Sequence, residues 1–274
     1  MSVKELFDIS NKLVVITGAN GLLGKEFTKA ILSSGGLVAA IDIEFNNLTE
    51  DREIGKKIDE GKVELFESDI TDERLFTDTK EKIINHFPNN VEGLINCAAR
   101  DFTPEKGIEE TSKFEDYPIE VLDETLKLNV SAQILSCKLF GSIMAEHKKG
   151  SIINISSIYG LVSPDQKIYS HIDNSESPYI KPISYSVSKS SLLNMTRYLA
   201  TYWGEKGVRV NTLTLGGVYN GQDDSFVKKY TEKVPLERMA NIDDYNGAII
   251  YLLSDASGYM TGSNIIIDGG WTSW

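Results

Sequence analysis

Residues 14–24 have the sequence VVITGANGLLG, in which an apolar run leads directly into glycines at every third position. The run Val14–Thr17 predicts a buried strand, and a helix is expected to begin among the glycines. In such a unit Gly18 permits the tight turn, Gly21 lets the backbone approach a pyrophosphate, and Gly24 lets the helix pack closely on the strand. The pyrophosphate would bind at the positively polarised amino end of the helix. We therefore predict a dinucleotide-binding loop rather than a purely structural turn, with the candidate contacts Gly18, Asn20, Gly21, Leu22, Leu23 and Gly24.

The rest of the chain alternates short apolar segments with helical patterns. Strands are predicted at Val14–Thr17, Val38–Asp42, Val63–Glu67, Gly93–Asn96, Ser151–Ser156, Val208–Thr214 and Asn264–Asp268. Helices are predicted near Leu22–Ser34, Glu50–Glu60, Asp72–Phe87, Ile119–Lys148, Ser184–Lys206 and Asp243–Ser254. This alternation predicts an α/β fold of the Rossmann type, a doubly wound parallel sheet of about seven strands with helices on both faces. We expect one domain over residues 1–274, because no linker or repeat interrupts the pattern.

Composition excludes several classes of function. The chain has 274 residues, a net charge of −12 and a pI near 4.8, which argues against nucleic acid or an anionic membrane as a partner. The first residues have no apolar signal core, and we identify no membrane-spanning apolar stretch, so a cytoplasmic location is expected. Two cysteines and three scattered histidines predict neither a disulfide framework nor a metal site.

Asp42 ends the second predicted strand, eighteen residues after Gly24. An acidic residue at about this distance binds the hydroxyls of an adenosine ribose, and its charge repels a 2′-phosphate. No basic residue follows before Arg52, so NAD is favoured over NADP as cofactor. The alternative is an aspartate that only ends the strand.

Tyr185 and Lys189 lie four residues apart, and Tyr185 follows Ser157 by twenty-eight residues. A phenol has a pKa of about 10, so general acid/base catalysis near neutral pH requires its pKa to be lowered by about three units. A lysine one helical turn along, on the same face, would supply part of this shift. Tyr202 and Lys206 have the same spacing, but no serine-bearing strand leads into them, and we treat that pair as coincidence.

Taken in order, these motifs resemble the short-chain dehydrogenase/reductase family over nearly the whole chain. Further matches are Asp69 in ESDIT, the segment Asn96-Cys97-Ala98-Ala99, Asn129 in LKLNVS, Arg209-Val210-Asn211 and the ending TGSNIIIDGGW. The resemblance implies an NAD-dependent oxidoreductase that interconverts a secondary alcohol and a ketone. It also implies a homotetramer or homodimer, which agrees with the two long apolar helices at 119–148 and 184–206.

The resemblance also assigns roles to residues. Tyr185 would be the general acid/base, and Lys189 would bind the nicotinamide ribose and lower the tyrosine pKa. Ser157, rather than Ser156, would bind the substrate oxygen, and Asn129 would hold a water that links Lys189 to a proton path. The implied cofactor contacts outside the glycine loop are Asp42, Asp69, Ile70, Asn96, Ala98, Ala99, Tyr185, Lys189, Gly216 and Val218.

Three segments are predicted to be substrate loops, at 101–118, 159–183 and 219–234. The last of them is predicted to be a short lid, and an ordinary surface helix is the alternative. The stretch SSIYGLVSPD is similar to the flagellin-modification branch of the family, whose members act in bacterial surface-sugar pathways. A sugar or sugar nucleotide is therefore the expected substrate. Groups suited to a carbohydrate are Tyr159, Asp165, Tyr169, His171, Asp173 and Tyr179. The alternative for this loop is packing against a neighbouring subunit.

Two other functions remain open. The spacing TGxxGxxG, with Leu22 between the last two glycines, is commoner in sugar-nucleotide epimerases and dehydratases that retain NAD. That reading is disfavoured because we expect no substrate domain after the last strand. A non-catalytic dinucleotide-binding protein is disfavoured because it would have no use for Ser157, Tyr185 and Lys189.

Overall fold

The protein is represented by a computed structural model that describes residues 1–101, 113–172 and 179–274. Within these ranges, seven parallel strands form one sheet in the order β3-β2-β1-β4-β5-β6-β7. The strands are β1 Leu13–Thr17, β2 Leu37–Asp42, β3 Val63–Glu67, β4 Val91–Asn96, β5 Gly150–Ser157, β6 Val208–Leu215 and β7 Asn264–Ile267. The predicted α/β fold is confirmed, and each predicted strand lies within two residues of an observed one.

One short helix precedes β1, and the other helices lie between the strands along the chain. They are α1 Val3–Leu6, α2 Leu22–Ser33, α3 Asn46–Thr49, α4 Arg52–Asp59, α5 Glu73–His86, α6 Ile119–Glu146, α7 Ile183–Trp203, α8 Asp224–Thr231 and α9 Asn246–Leu253. Helix α6 contains two π-helical segments, Lys127–Ser131 and Cys137–Gly141. Short 3₁₀ turns cover much of the 159–172 region.

Both faces of the sheet are buried, as a parallel sheet requires. Alternate residues of β1 point to opposite faces: Val14 and Ile16 belong to one core, and Leu13 and Val15 to the other. The first core is covered by α2 and α9, which contribute Phe27, Ile31, Ile249 and Leu252. The second is covered by α5, α6 and α7, which contribute Phe76, Phe140, Met144 and Trp203. Helices therefore cover both faces of the sheet.

Helix α6 is long and apolar enough, by length and composition alone, to cross a membrane. Its most apolar 18-residue window has a mean hydropathy of 1.2, and 44% of that window is buried inside the protein. No such stretch was predicted from the sequence, because polar residues such as Asn129 and Gln133 interrupt the apolar run. The core helix of a soluble protein passes the same test, and α6 does contribute Phe140 and Met144 to the second core.

Candidate active site

The glycine loop joins β1 to α2 in a conformation that side chains would obstruct. Gly18 has a φ of +70°, and a Cβ at this position would lie 2.6 Å from the Cα of Ala98, at the end of β4. A Cβ at Gly24 would lie 2.0 Å from the carbonyl oxygen of Gly18, so only glycine lets α2 approach the turn this closely. Gly21 is the N-cap of α2 and supplies no side-chain cap. The amino end of α2 thus presents backbone N–H groups suited to a phosphate.

Asp42 lies at the end of β2, next to this loop. Its carboxylate accepts hydrogen bonds from the backbone N–H groups of Asn20 and Ile43, both at 2.8 Å. Burial raises the pKa of Asp42, and the two N–H donors oppose that shift. The Asn20 side chain instead holds the α3 segment: its amide accepts from Leu48 and donates to Asn46, both at 2.8 Å. Any contact of Asn20 with a cofactor would therefore come from its backbone.

Tyr185, Ser157 and Lys189 converge where β5 ends and α7 begins. The Ser157 hydroxyl lies near the Tyr185 phenol, whose pKa it lowers, and it accepts a hydrogen bond from the N–H of Tyr159 at 3.2 Å. The Lys189 ammonium lies 5.9 Å from the centroid of the Tyr185 ring and donates to the carbonyl of Ile155 at 2.9 Å. The structure thus brings together a phenol, a hydroxyl and a buried ammonium.

The electrostatics of Tyr185 differ from the expectation. Burial raises the pKa of the phenol well above its ordinary value, the Asp101 carboxylate adds to this shift, and the nearby Ser157 hydroxyl opposes it. Burial also lowers the pKa of Lys189. The predicted lowering of the tyrosine pKa is therefore not seen among the protein groups, because the lost hydration of a phenolate outweighs the nearby ammonium.

The paired serines have different environments. The Ser156 hydroxyl is buried and donates to the backbone carbonyl of Lys189 at 2.9 Å, which fastens α7 to β5. Ser157 is half-buried and faces Tyr185. This arrangement supports Ser157 as the substrate-binding serine.

Asn129 lies in the first π-helical segment of α6 and is fully buried. Its amide accepts from the N–H of Arg100 at 2.7 Å, and donates to the Arg100 carbonyl at 3.0 Å and to the Ser188 hydroxyl at 3.1 Å. The Ser188 hydroxyl in turn donates to the carbonyl of Tyr185 at 2.8 Å. Asn129 therefore joins α6, the end of β4 and α7. Its predicted water link to Lys189 stays a prediction.

Most of the remaining predicted cofactor residues lie beyond the carboxyl ends of the strands, where parallel α/β sheets bind ligands. Asp69 is exposed and accepts from the N–H of Thr71 at 2.8 Å, while Ile70 is buried. Ala98 and the exposed Ala99 follow β4. Gly216 follows β6, and Val218 forms an isolated bridge with Ala240.

The side chain of Asn96 is an exception. It is fully buried, and its amide donates to Asn154 at 2.8 Å and to the Cys137 sulfur at 3.2 Å. It joins β4, β5 and α6 in the core rather than facing a ligand. Nearby, Gln133 donates to the Ala98 carbonyl at 2.9 Å, a contact that the sequence analysis missed although Gln133 lies one helical turn after Asn129.

The aromatic residues of the 159–183 loop are also placed differently from the prediction. The rings of Tyr159, Tyr169 and Tyr179 are buried in a third apolar cluster together with Tyr230 and Trp271. The expectation that these rings are available to a sugar is therefore wrong, because they pack between the loop and the predicted lid. Asp165 pairs with the lid residue Lys233 at 2.7 Å. Asp173 and the side chain of His171 lie outside the described residues, as do residues 102–112 of the 101–118 loop.

Comparisons with known proteins agree with this architecture. A family model described as "Enoyl-(Acyl carrier protein) reductase" matches residues 18–272. The post-translational flagellin modification protein A of Campylobacter coli is 28% identical over 282 residues, which cover 96% of this chain and 99% of that protein. The D-arabinitol 2-dehydrogenase (ribulose-forming) of Candida tropicalis is 28% identical over 288 residues, which cover 98% and 95%. The crystal structure of a short chain dehydrogenase from Leptospira borgpetersenii with bound NAD+ is 30% identical, has a TM-score of 0.84, and matches over 99% of this chain and 97% of that one.

Proposed function

This chain belongs to the short-chain dehydrogenase/reductase family and is a nicotinamide-dependent oxidoreductase, and we propose that it uses NAD to interconvert a secondary alcohol and a ketone on a sugar or sugar alcohol. The observation that supports the reaction is the convergence of Ser157, Tyr185 and Lys189 at the carboxyl edge of the sheet. A hydride leaves a carbinol carbon only if the proton on its oxygen is also removed. A hydroxyl can bind the substrate oxygen by a hydrogen bond, and a neighbouring phenol can remove or return the proton on that oxygen.

The residues present fit a dinucleotide. The glycine loop from Gly18 to Gly24 leaves space that a Cβ atom would occupy. The amino end of α2 has no side-chain cap, so its N–H groups are available as donors to the pyrophosphate. Bound NAD supplies the hydride acceptor. Lys189 would donate to the nicotinamide ribose, Tyr185 would exchange a proton with the substrate oxygen, and Ser157 would hold that oxygen by a hydrogen bond.

The preference for NAD rests on Asp42. Its carboxylate lies beside the glycine loop, held by the N–H groups of Asn20 and Ile43. A carboxylate accepts hydrogen bonds from both hydroxyls of an adenosine ribose, and it repels the charge of a 2′-phosphate. We therefore expect a lower KM for NAD+ than for NADP+.

The proposed substrate class is supported by the relatives. One of them forms ribulose from D-arabinitol, and another is a flagellin-modification protein. Both agree with a polyhydroxylated substrate, and the second favours a sugar of a bacterial glycan pathway. Asp101, with a side chain that is 46% exposed and close to Tyr185, is a described group able to accept a sugar hydroxyl.

The test is a substrate screen that follows the absorbance of reduced cofactor. D-arabinitol, other polyols and sugar nucleotides are supplied with NAD+, and D-ribulose and other keto-sugars with NADH. Net cofactor turnover that the Y185F variant lacks is the expected result. Product formation without net NADH would identify an epimerase or dehydratase instead, and NAD+ binding without turnover of any substrate would reject the enzymatic proposal.

A further inference from the structure

Lys181 is a buried cation in the loop that precedes α7. It lies in a polar, proline-containing segment, where a lysine side chain is ordinarily solvated. In the structure only 7% of it is exposed. A buried lysine costs free energy unless its charge is compensated, so its surroundings require an explanation.

Two other segments hold Lys181 in place. Its ammonium pairs with the carboxylate of Asp101, which follows β4. Its backbone N–H donates to the Gln166 side-chain oxygen at 2.9 Å, and its carbonyl accepts from the Gln166 amide at 3.2 Å. Since Pro182 is the N-cap of α7, these bonds fix the backbone two residues before the helix begins.

The position of the ammonium relates it to the proposed acid/base. The Lys181 nitrogen lies over the Tyr185 ring, 4.6 Å from its centroid, which is closer than the 5.9 Å of the Lys189 nitrogen. Both distances are within the ~6 Å reach of a cation–π contact. A phenolate is richer in electrons than a phenol, so a cation over the ring stabilises the ionised form more than the neutral one.

The other groups that face the phenol come from three elements. Cys97 and Asp101 follow β4, Ser157 and Tyr159 lie at and after the end of β5, and Lys189 is on α7. Burial raises the pKa of Cys97 to about 11 and also raises the pKa of Tyr159, so both are neutral near pH 7. Asp101 is the acidic group among them, and it raises the pKa of Tyr185.

We propose that Lys181, paired with Asp101, is a positioning residue for Tyr185: it fixes the ring and offsets the effect of the Asp101 carboxylate on the phenolate. The proposal rests on the proposed function, in which Tyr185 is the acid/base. Asp101 and Lys181 thus act on the phenol with opposite signs, and the charges of this pair cancel. A lysine with a purely structural role would hold the loop before α7 in place without any effect on the ionisation of Tyr185.

Because Asp101 and Lys181 are expected to shift the Tyr185 pKa in opposite directions, single and double variants test the proposal. The variant K181M removes the cation and leaves Asp101 near the phenol, so the Tyr185 pKa should rise by about one unit. D101N removes the anion and should lower that pKa by a similar amount, whereas the double variant K181M/D101N should return close to the wild-type value. K181R keeps the charge and should keep the wild-type pKa. K167M, which replaces an exposed lysine of the same loop, is the matched control.

The pKa can be read without a substrate. Protein labelled with [13Cζ]tyrosine and saturated with NAD+ is titrated, and the Tyr185 signal is the one that Y185F lacks. The pH profile of kcat/KM with D-arabinitol, or with the alcohol that the screen identifies, should shift in the same directions. Thermal unfolding of every variant separates these shifts from lost stability.

The outcomes distinguish the two proposals. If K181M and D101N shift the pKa of the Tyr185 phenol in the same direction, or if neither shifts it, Lys181 has only a packing role and this inference is overturned. If Y185F retains turnover, the proposed function itself fails, whatever Lys181 does.

Discussion

The hydroxyl of Ser156 donates a 2.9 Å hydrogen bond to the backbone carbonyl of Lys189, while the next residue, Ser157, faces the phenol of Tyr185. Consecutive strand residues point to opposite sides, so adjacent serines at the end of β5 have separate tasks. One fastens the helix that holds the lysine, and the other lies within reach of a substrate oxygen.

Alanine substitutions should separate these tasks. S156A removes the side-chain hydrogen bond to the Lys189 carbonyl, which lies inside α7 and keeps its helical bond, and should lower the free energy of unfolding by about 0.5–1.5 kcal/mol. S157A should leave stability nearly unchanged but lower kcat by about 10²- to 10³-fold, because a donor to the reacting oxygen is lost. Denaturant unfolding and steady-state kinetics check both. The reverse pattern, with S156A inactive and S157A unstable, would reject our choice of Ser157.

Replacing Tyr185 by phenylalanine should remove the proton transfer but not the cofactor site. We expect kcat to fall by about 10²- to 10⁴-fold, while the fluorescence of bound NADH reports a nearly unchanged Kd. A large loss of NADH affinity in Y185F would instead indicate that the phenol mainly serves to bind the cofactor.

The pH dependence follows from the raised pKa of the Tyr185 phenol. Alcohol oxidation needs the ionised phenol as base, so kcat/KM for oxidation should rise with pH over the neutral and mildly alkaline range. Ketone reduction needs the protonated phenol. Because a raised pKa keeps the phenol protonated to higher pH, the rate of reduction should stay nearly constant over the neutral range and decline only at high pH. Initial rates in both directions across a pH series test this, and an oxidation rate that falls from neutral to alkaline pH would contradict it.

Gly18 and Gly55 form a matched pair of glycines. At Gly18 the φ of +70° and the 2.6 Å approach of a Cβ to Ala98 make alanine unfavourable. The left-handed backbone alone should make G18A about 1–2 kcal/mol less stable. The steric clash should add to this loss, and G18A should also weaken NAD+ binding. At Gly55, inside α4, a Cβ would meet no atom within 4 Å, so G55A should stabilise the protein by up to about 1 kcal/mol. Urea unfolding and NAD+ titration of both variants provide the measurement.

Cofactor preference can be tested at Asp42. D42N removes the charge that would repel a 2′-phosphate, so the ratio of kcat/KM for NADP+ over NAD+ should rise about tenfold or more, equivalent to ~1.4 kcal/mol. D59N, at an exposed site at the end of α4, is the control and should leave the ratio unchanged. An unaltered ratio in D42N would mean that Asp42 only ends its strand.

The sequence predicted the strands well because each is a short apolar run with a clear boundary. Val63–Glu67 agrees residue for residue, and β1 and β2 each begin one residue before the prediction. The order of the site residues along the chain was equally informative. Parallel strands bring their carboxyl ends to one edge, so the residues that follow them must lie close together.

What the sequence could not predict depends on partners distant in the chain. Tyr159, Tyr169 and Tyr179 lie in a polar, proline-containing loop, which suggested exposure, but their packing partners Tyr230 and Trp271 are far along the chain. Local periodicity contains no information about such contacts. The same holds for Asn20 and Asn96, which were predicted as cofactor contacts and whose side chains are instead buried with protein partners.

The predicted lid, residues 219–234, offers a last test at Tyr230. Its hydroxyl accepts a 2.6 Å hydrogen bond from the N–H of Gly217, and its ring stacks on Trp271 with centroids 4.4 Å apart. Because Gly217 follows Gly216 at the end of β6, this bond ties the lid helix α8 to the predicted cofactor site. Y230F removes only the acceptor and should cost about 1–3 kcal/mol of stability, since a part-buried N–H loses its partner.

Loosening this bond should raise the KM for the cofactor more than it changes kcat, because the lid and the β6 edge would be held less firmly while Ser157 and Tyr185 are untouched. Y230A also loses the ring and should cost more, because a buried aromatic ring supplies several kcal/mol of packing. Y219F, at an exposed tyrosine of the same lid, is the control and should be neutral. If Y230F matched Y219F in both stability and KM, the hydrogen bond would have no part in holding the lid, and the ring stacking on Trp271 alone would have to account for its position.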